Sequence, residues 1–295
     1  MKNGFWIFIA VFVALGGSWC GFVLAPELQL GGAKQTTILN TSEVYPIGRP
    51  GEATQGLSVY RANGCAACHT EQVRQTGITC EVVLTSLGTN SPKTMLKIMS
   101  QLSASRHRTE EQKMEEMVSD GLSKHGPGHE FDNLPVTLFR FVDKSFADLA
   151  MDKISAAGGK TEIHIAATGP DIARGWGMRQ SVAEDYLYDQ PVQLGSLRAG
   201  PDLANTGARA DANWQLLHLY APKSVVKGST MPPFRYLFEV RKIGREPSPD
   251  ALKLPPEFAP PAGYEVVPKP EAKQLAAYLL SLRATVPLYD APISP

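Results

Sequence analysis

Cys65-Ala66-Ala67-Cys68-His69 sets two thiols at the spacing that reaches the two vinyl groups of one haem, with a histidine beside them placed to ligate its iron. The motif predicts covalently bound haem c. Iron held by one histidine needs a sixth ligand if it is to shuttle electrons rather than bind oxygen. A methionine thioether is soft enough to favour Fe(II) and raise the potential. Met231, in Ser229-Thr230-Met231-Pro232-Pro233, is the first candidate. A thioredoxin-like C-x-x-C or half of a zinc site are the competing readings. No second C-x-x-C completes a four-cysteine zinc set, and an apolar leader suits haem attachment better. With a single C-x-x-C-H the expectation is one haem, with Cys65 and Cys68 as its thioether links and His69 and Met231 as its iron ligands.

Other groups capable of chemistry are fewer. His107, His125, His129 and His164 all fall between Cys80 and Ala166, and His125 and His129 share a Gly-Pro-Gly loop without further ligands for a metal. Cys80 opens an apolar strand and reads as a small buried hydrophobe. Cys20 lies in the leader, so the two cannot pair within the chain. No nucleophile, acid–base pair or copper-site cysteine array is visible. Chemistry beyond electron passage is therefore expected from a partner, with no catalytic residue of the chain's own.

The 29 basic side chains balance 29 acidic ones, which argues against a nucleic-acid binder. The stretch from Phe5 to Ala25 has no charged side chain and is about the length that crosses a bilayer as a helix. Lys2 and the amino terminus favour a cytoplasmic start, placing everything after Pro26 on the outer, periplasmic side of the inner membrane as a single-pass protein. A cleaved signal peptide is the alternative. The run is long for an h-region, Pro26 makes a poor cleavage junction, and Trp19 before Cys20 spoils a lipoprotein-type site.

These groups need elements to position them. Gly31 to Gly51 lacks clear periodicity and reads as a spacer. A helix over residues 56–64 leads into the motif, with Leu57 and Tyr60 on one face and Gly64 where a close backbone approach is useful. Pro270 starts a closing helix carrying Leu275, Tyr278, Leu279 and Leu282, expected to pack on the first. His69 and Met231 are much farther apart in sequence than a small haem domain needs, and the residues between Cys80 and Ala166 supply the excess. There Val82-Val83-Leu84 reads as a strand. Ser91-Pro92 caps a helix with Met95, Ile98, Met99 and Leu102, and Thr109 with Gln112 opens a second helix that stops at Gly121. Val136 to Val142 is a strand, Asp143 caps a third helix ending at Gly158-Gly159, and Thr161 to Ala166 is the last strand. Met95, Met99, Met114 and Met117 recur at helical spacing and read as core.

The layout resembles a class I cytochrome c: a helix running into C-x-x-C-H, a Gly-Pro-x-Leu turn at Gly200-Pro201-Asp202-Leu203, a Met-Pro loop, and a closing helix. That resemblance implies that the Pro201 carbonyl accepts the second ring N–H of His69 and sets its tautomer and basicity. The segment between, with its Ala156-Ala157-Gly158-Gly159-Lys160-Thr161-Glu162-Ile163 run, is similar in pattern to the C-terminal domain of the bacterial ribosomal stalk protein, departs from it over Ser123 to Asn133, and implies no ribosomal role. The expected fold class is mainly α: an N-terminal transmembrane helix (1–30) and a class I cytochrome c haem domain (50–78 and 175–285). Into it is inserted a small α/β domain of three strands and three helices (79–170).

A more specific resemblance rests on Tyr60-Arg61-Ala62-Asn63-Gly64-Cys65 through Arg74, Tyr188-Asp189-Gln190-Pro191, Gly195 through Leu203, Trp214, His218-Leu219-Tyr220-Ala221-Pro222 and Ser229 through Phe234. These look like the mono-haem membrane-anchored subunit II, the FixO-like subunit, of cbb3-type cytochrome c oxidases. Gly175-Trp176-Gly177 stands where that family shows Arg-Tyr-Gly. The resemblance places His218 on a helix after Trp214, in a structural or docking role rather than as the iron ligand that a neutral imidazole could otherwise be. It implies a redox relay that takes an electron from a soluble donor cytochrome and passes it to the haem–copper catalytic subunit, alongside other cytochrome subunits. The alternatives are a haem peroxidase, which needs an open sixth position, a haem-bearing binding or sensor module built around the insert, and the cytochrome subunit of another respiratory complex.

Overall fold

The computed structural model describes residues 3–88, 92–105 and 134–293. Its principal elements in chain order are α1 (Gly4–Trp19), α2 (Ala25–Leu30), β1 (Thr36–Thr37), β2 (Val44–Tyr45), α3 (Gly51–Ala62), β3 (Gly77–Ser86), α4 (Pro92–Ser105), β4 (Val136–Val142), α5 (Lys144–Ala156), β5 (Lys160–Thr168), α6 (Ala212–Tyr220), β6 (Phe238–Lys242), β7 (Tyr264–Pro268) and α7 (Pro270–Ser281). The fold is mixed α/β, with an apolar N-terminal helix and small sheets. It divides into one unit of Met1–Thr70, Ser181–Gly200 and Ala210–Ser281, and a second of Glu71–Gln180, Pro201–Arg209 and Leu282–Pro295.

In the first unit α1 runs through a π-helical turn at Cys20–Leu24 into α2, and Gly4–Leu28 has a mean hydropathy of 2.3 with none of it buried. This helix is long and apolar enough to cross a membrane. It passes Pro26 without stopping. A proline ring meets the carbonyl four residues back and removes one hydrogen bond, and the wider π turn immediately before it relieves that clash.

The segment read as a spacer is tied down. Thr36 and Thr37 pair with Tyr45 and Val44, the Tyr45 hydroxyl donates to Asp185 Oδ1 at 2.6 Å, and Arg49 pairs with Asp189. Two-residue strands leave no alternation for a sequence reading to detect.

Helices α3 and α7 pack as the apolar spacing requires. Leu57 and Tyr60 are buried, as are Leu275, Tyr278 and Leu279, and the Tyr60 and Tyr278 rings meet at 5.1 Å. The approach is close because α3 presents Gly56: a Cβ there would lie 1.9 Å from the Gln274 carbonyl oxygen. Ahead of α7, β6 and β7 form an antiparallel hairpin. The buried Glu265 carboxylate accepts from Ser248 N–H at 2.7 Å and Arg241 Nε at 2.9 Å, and these donors hold it below its ordinary 4.5.

The second unit holds an antiparallel sheet of order β4-β3-β5. Cys80, Val82 and Leu84 alternate onto one face of β3, where they meet Met95 and Leu102 of α4 and Ala147, Ala150 and Ile154 of α5. Asp143 caps α5 by accepting the Phe146 N–H at 2.8 Å. Cys80 is 4% exposed, and burial raises its thiol pKa, which makes it inert core. The Ser91 cap, the Thr109–Gln112 capping pair with its helix to Gly121, the Ser123–Asn133 loop, Met114, Met117, His107, His125 and His129 lie outside the described residues.

Candidate functional site

Helix α3 delivers the motif. Its C-terminal Asn63 side chain donates to the Val59 carbonyl at 2.7 Å, and Gly64, at φ +67, turns the chain into a single 3-10 turn over Cys65–Ala67. The Cys68 and His69 amides both donate to the Cys65 carbonyl, at 3.1 and 3.0 Å, so two thiols and an imidazole leave one tight turn. Neither thiol is in a disulfide; Cys65 is half-buried and Cys68 exposed. The glycine at position 64 is explained by its left-handed backbone and not by close approach, since a Cβ there would meet open space.

The close approach occurs farther along. The Gly200 N–H donates to the Cys68 carbonyl at 2.9 Å and the Ser196 N–H to the Ala66 carbonyl at 3.4 Å, laying residues 195–200 along the motif. A Cβ on Gly195, at φ +74, would sit 2.1 Å from the His69 carbonyl oxygen. One on Gly200 would sit 2.3 Å from His69 Cε1. The imidazole therefore rests on bare backbone. Arg198 adds a bond from its Nε to Thr70 Oγ1 at 3.0 Å. Pro201 directly follows Gly200 and belongs to the second unit. There the carboxylate of the fully buried Asp202 accepts the N–H groups of Gln72 and Ala204 at 2.8 and 2.9 Å.

Met231 is half-buried, on a loop pinned at two points. Its own N–H donates to Ser229 Oγ at 3.3 Å, and just beyond it the Phe234 N–H donates to the Leu219 carbonyl at 2.8 Å, at the end of α6. The Tyr236 hydroxyl donates to Asn63 Oδ1, so the Met231 loop and the end of α3 are brought together in the same unit. Burial, followed by the nearby Cys65, raises the Tyr236 pKa. Met178 is 49% exposed and lies in the other unit.

His218 sits on α6, whose start is capped by Asp211 accepting the Trp214 N–H at 2.8 Å. One turn apart, the His218 and Trp214 rings stack with centroids 4.7 Å apart and planes at 14°. His218 Nδ1 is buried with no hydrogen-bond partner among the described residues. Its pKa is pushed down to about 4, first by burial and then by the nearby charge of His69, against a smaller upward pull from the Pro222 backbone. The ring is thus neutral near pH 7. Sequence reasoning placed this helix, but nothing in the pattern showed that the imidazole comes within electrostatic reach of His69.

Two of these observations test the fit to a haem. The bare backbone of Gly200 under His69 seats its imidazole without side-chain obstruction, and in the same unit the buried His218 Nδ1 has no hydrogen-bond partner among the described residues. The donor set, two thiols, an imidazole and a thioether, suits haem c. Cys65 and Cys68 could attach it, and His69 and Met231 could ligate its iron. No curated protein matches the chain. Residues 167–254 match the family described as cytochrome c oxidase, mono-heme subunit/FixO; the match takes in the Gly200–Leu203 turn, α6 and Met231, and over this stretch the chain is FixO-like.

Proposed function

We propose that the chain is a membrane-anchored mono-haem c-type cytochrome that relays electrons from a soluble donor cytochrome to the haem–copper catalytic subunit of a cbb3-type oxidase. The observation that carries the reading is a conjunction. The loop bearing Cys65, Cys68 and His69 lies on Gly195 and Gly200, and Tyr236 ties the Met231 loop to Asn63, in a chain that is FixO-like over residues 167–254. When bound, haem c supplies reversible one-electron chemistry at iron.

The protein's share is to hold and shield. Cys65 and Cys68 form the thioether links, and His69 and Met231 supply nitrogen and soft sulfur to the iron. On the class I cytochrome c resemblance, Pro201 would be the residue that fixes which ring nitrogen of His69 carries the lone pair. On this reading α3, the motif and the α7 helix closing on α3 form a class I cytochrome c domain made of residues 50–78 and 175–285, with residues 79–170 as an inserted α/β domain. The helix Gly4–Leu28 anchors it as a single pass, with the haem domain on the periplasmic side.

The test is haem retention under denaturation. The wild-type protein is expected to keep haem-peroxidase staining on a denaturing gel, and Cys65→Ala with Cys68→Ala to lose it. Staining that survives both changes sinks the assignment. Met231→His is expected to keep a six-coordinate haem at lower potential and to abolish the weak near-infrared band of an iron–sulfur(Met) bond.

A further inference from the structure

We infer that His218 is a second iron-competent imidazole in the unit that holds the motif and the Met231 loop, able to take the sixth position when the Met231 sulfur is withdrawn. The inference rests on the covalent-haem reading above and goes beyond it.

A buried nitrogen without a hydrogen bond costs roughly 1–3 kcal/mol, so the placement of His218 Nδ1 calls for a reason. Stacking on Trp214 at 14° fixes the plane of the ring, so it is pre-oriented rather than mobile.

Position adds to this. His218 lies within electrostatic reach of His69, the residue read as the first iron ligand. Leu219, the next residue along α6, accepts the Phe234 N–H, and Phe234 is three positions past Met231. The loop that carries the thioether is therefore hydrogen-bonded to the neighbour of this imidazole. A structural histidine needs none of these features together. Exchange would break one iron–sulfur bond and form one iron–nitrogen bond, with no change of oxidation state.

The test uses the full-length holoprotein, because thioethers from Cys65 and Cys68 keep the haem in place whatever ligates the iron. Wild type, Met231→Ala, Met231→Ala/His218→Ala and Met231→Ala/His218→Asn are compared in the ferric state by near-infrared absorption and electron paramagnetic resonance. Met231→Ala is expected to lose the sulfur band yet remain low-spin with a bis-histidine spectrum and a lowered potential. Both double variants are expected to turn high-spin and to return to low-spin on adding free imidazole. A high-spin Met231→Ala overturns the inference, as does a low-spin spectrum that persists in either double variant. Failure of the underlying reading looks different, because wild type would then carry no covalent haem at all. Two replacements of different size at His218 separate ligand loss from a packing defect, since α6 content is read independently by circular dichroism.

Discussion

Gly200 makes its steric demand on the His69 ring itself. A methyl group there would stand 2.3 Å from His69 Cε1 and 2.7 Å from Nδ1, inside any real carbon contact, so the ring would have to rotate off its seat. Gly200→Ala is therefore expected to leave thioether attachment intact while disturbing the iron–histidine bond, seen as a mixed-spin ferric spectrum and a shifted potential. An unchanged spectrum would show that the cradle is not tight when haem is bound. At this scale the sequence carries an expectation where chemistry dictates residue type, two thiols, a histidine and a methionine, and the structure adds that the Met231 loop meets the end of α3 through Tyr236 and Asn63. The sequence was not legible where a residue matters by lacking a side chain. Gly64 looked like the close approach and is instead the left-handed turn, whereas Gly56, Gly195 and Gly200 make the close approaches. A glycine's neighbours come from elsewhere in the chain, and no local pattern reports them.

Among the elements, α3 and α7 depend on one small residue. The Cβ of an alanine at 56 would meet the Gln274 carbonyl oxygen at 1.9 Å, and that oxygen is helix backbone with nowhere to go. Gly56→Ala gains roughly 1 kcal/mol of helix propensity but must push the helices apart, and overpacking of this kind costs roughly 1–3 kcal/mol. The Tyr60–Tyr278 contact at 5.1 Å would loosen with it. A net drop of several degrees in melting temperature is the expected outcome of a calorimetric scan; a rise would mean that the helices separate freely and that their packing contributes little. Long periodic segments such as α4, α5 and α7 were readable because each buries a continuous stripe: Met95 and Leu102 are fully buried at the predicted spacing. The β1–β2 pair and the β6–β7 hairpin were not. β1 and β2 are two residues each, and four of the five residues of β6 face solvent, so tertiary partners such as Ser248 and Arg241 on Glu265 hold what the pattern does not announce.

For the whole molecule, the question is whether residues between the motif and the methionine loop form a separable body. The core of the three-stranded sheet is drawn from Cys80 through Ile154, all within the proposed insert, and includes neither the motif nor Met231. Its chain ends also meet. Ile78 faces Ala167 in register, Gly77 faces Thr168, and the Thr76 N–H donates to the Thr168 carbonyl at 2.8 Å. Removing Cys80 to Ala166 and joining Thr79 to Ala167 with a short Gly/Ser linker therefore asks the chain only to close an antiparallel pair that already exists, at the modest entropic cost of a short loop. Haem staining and the iron–sulfur(Met) band are expected to survive this excision. The excised segment expressed alone is expected to melt cooperatively without haem, since its sheet and helices bury a cluster of their own whose members among the described residues include none of the ligands. If instead the shortened chain loses its haem and the isolated segment shows no thermal transition, the stretch belongs to the haem pocket. The long separation of His69 from Met231 would then reflect one continuous fold rather than an insertion.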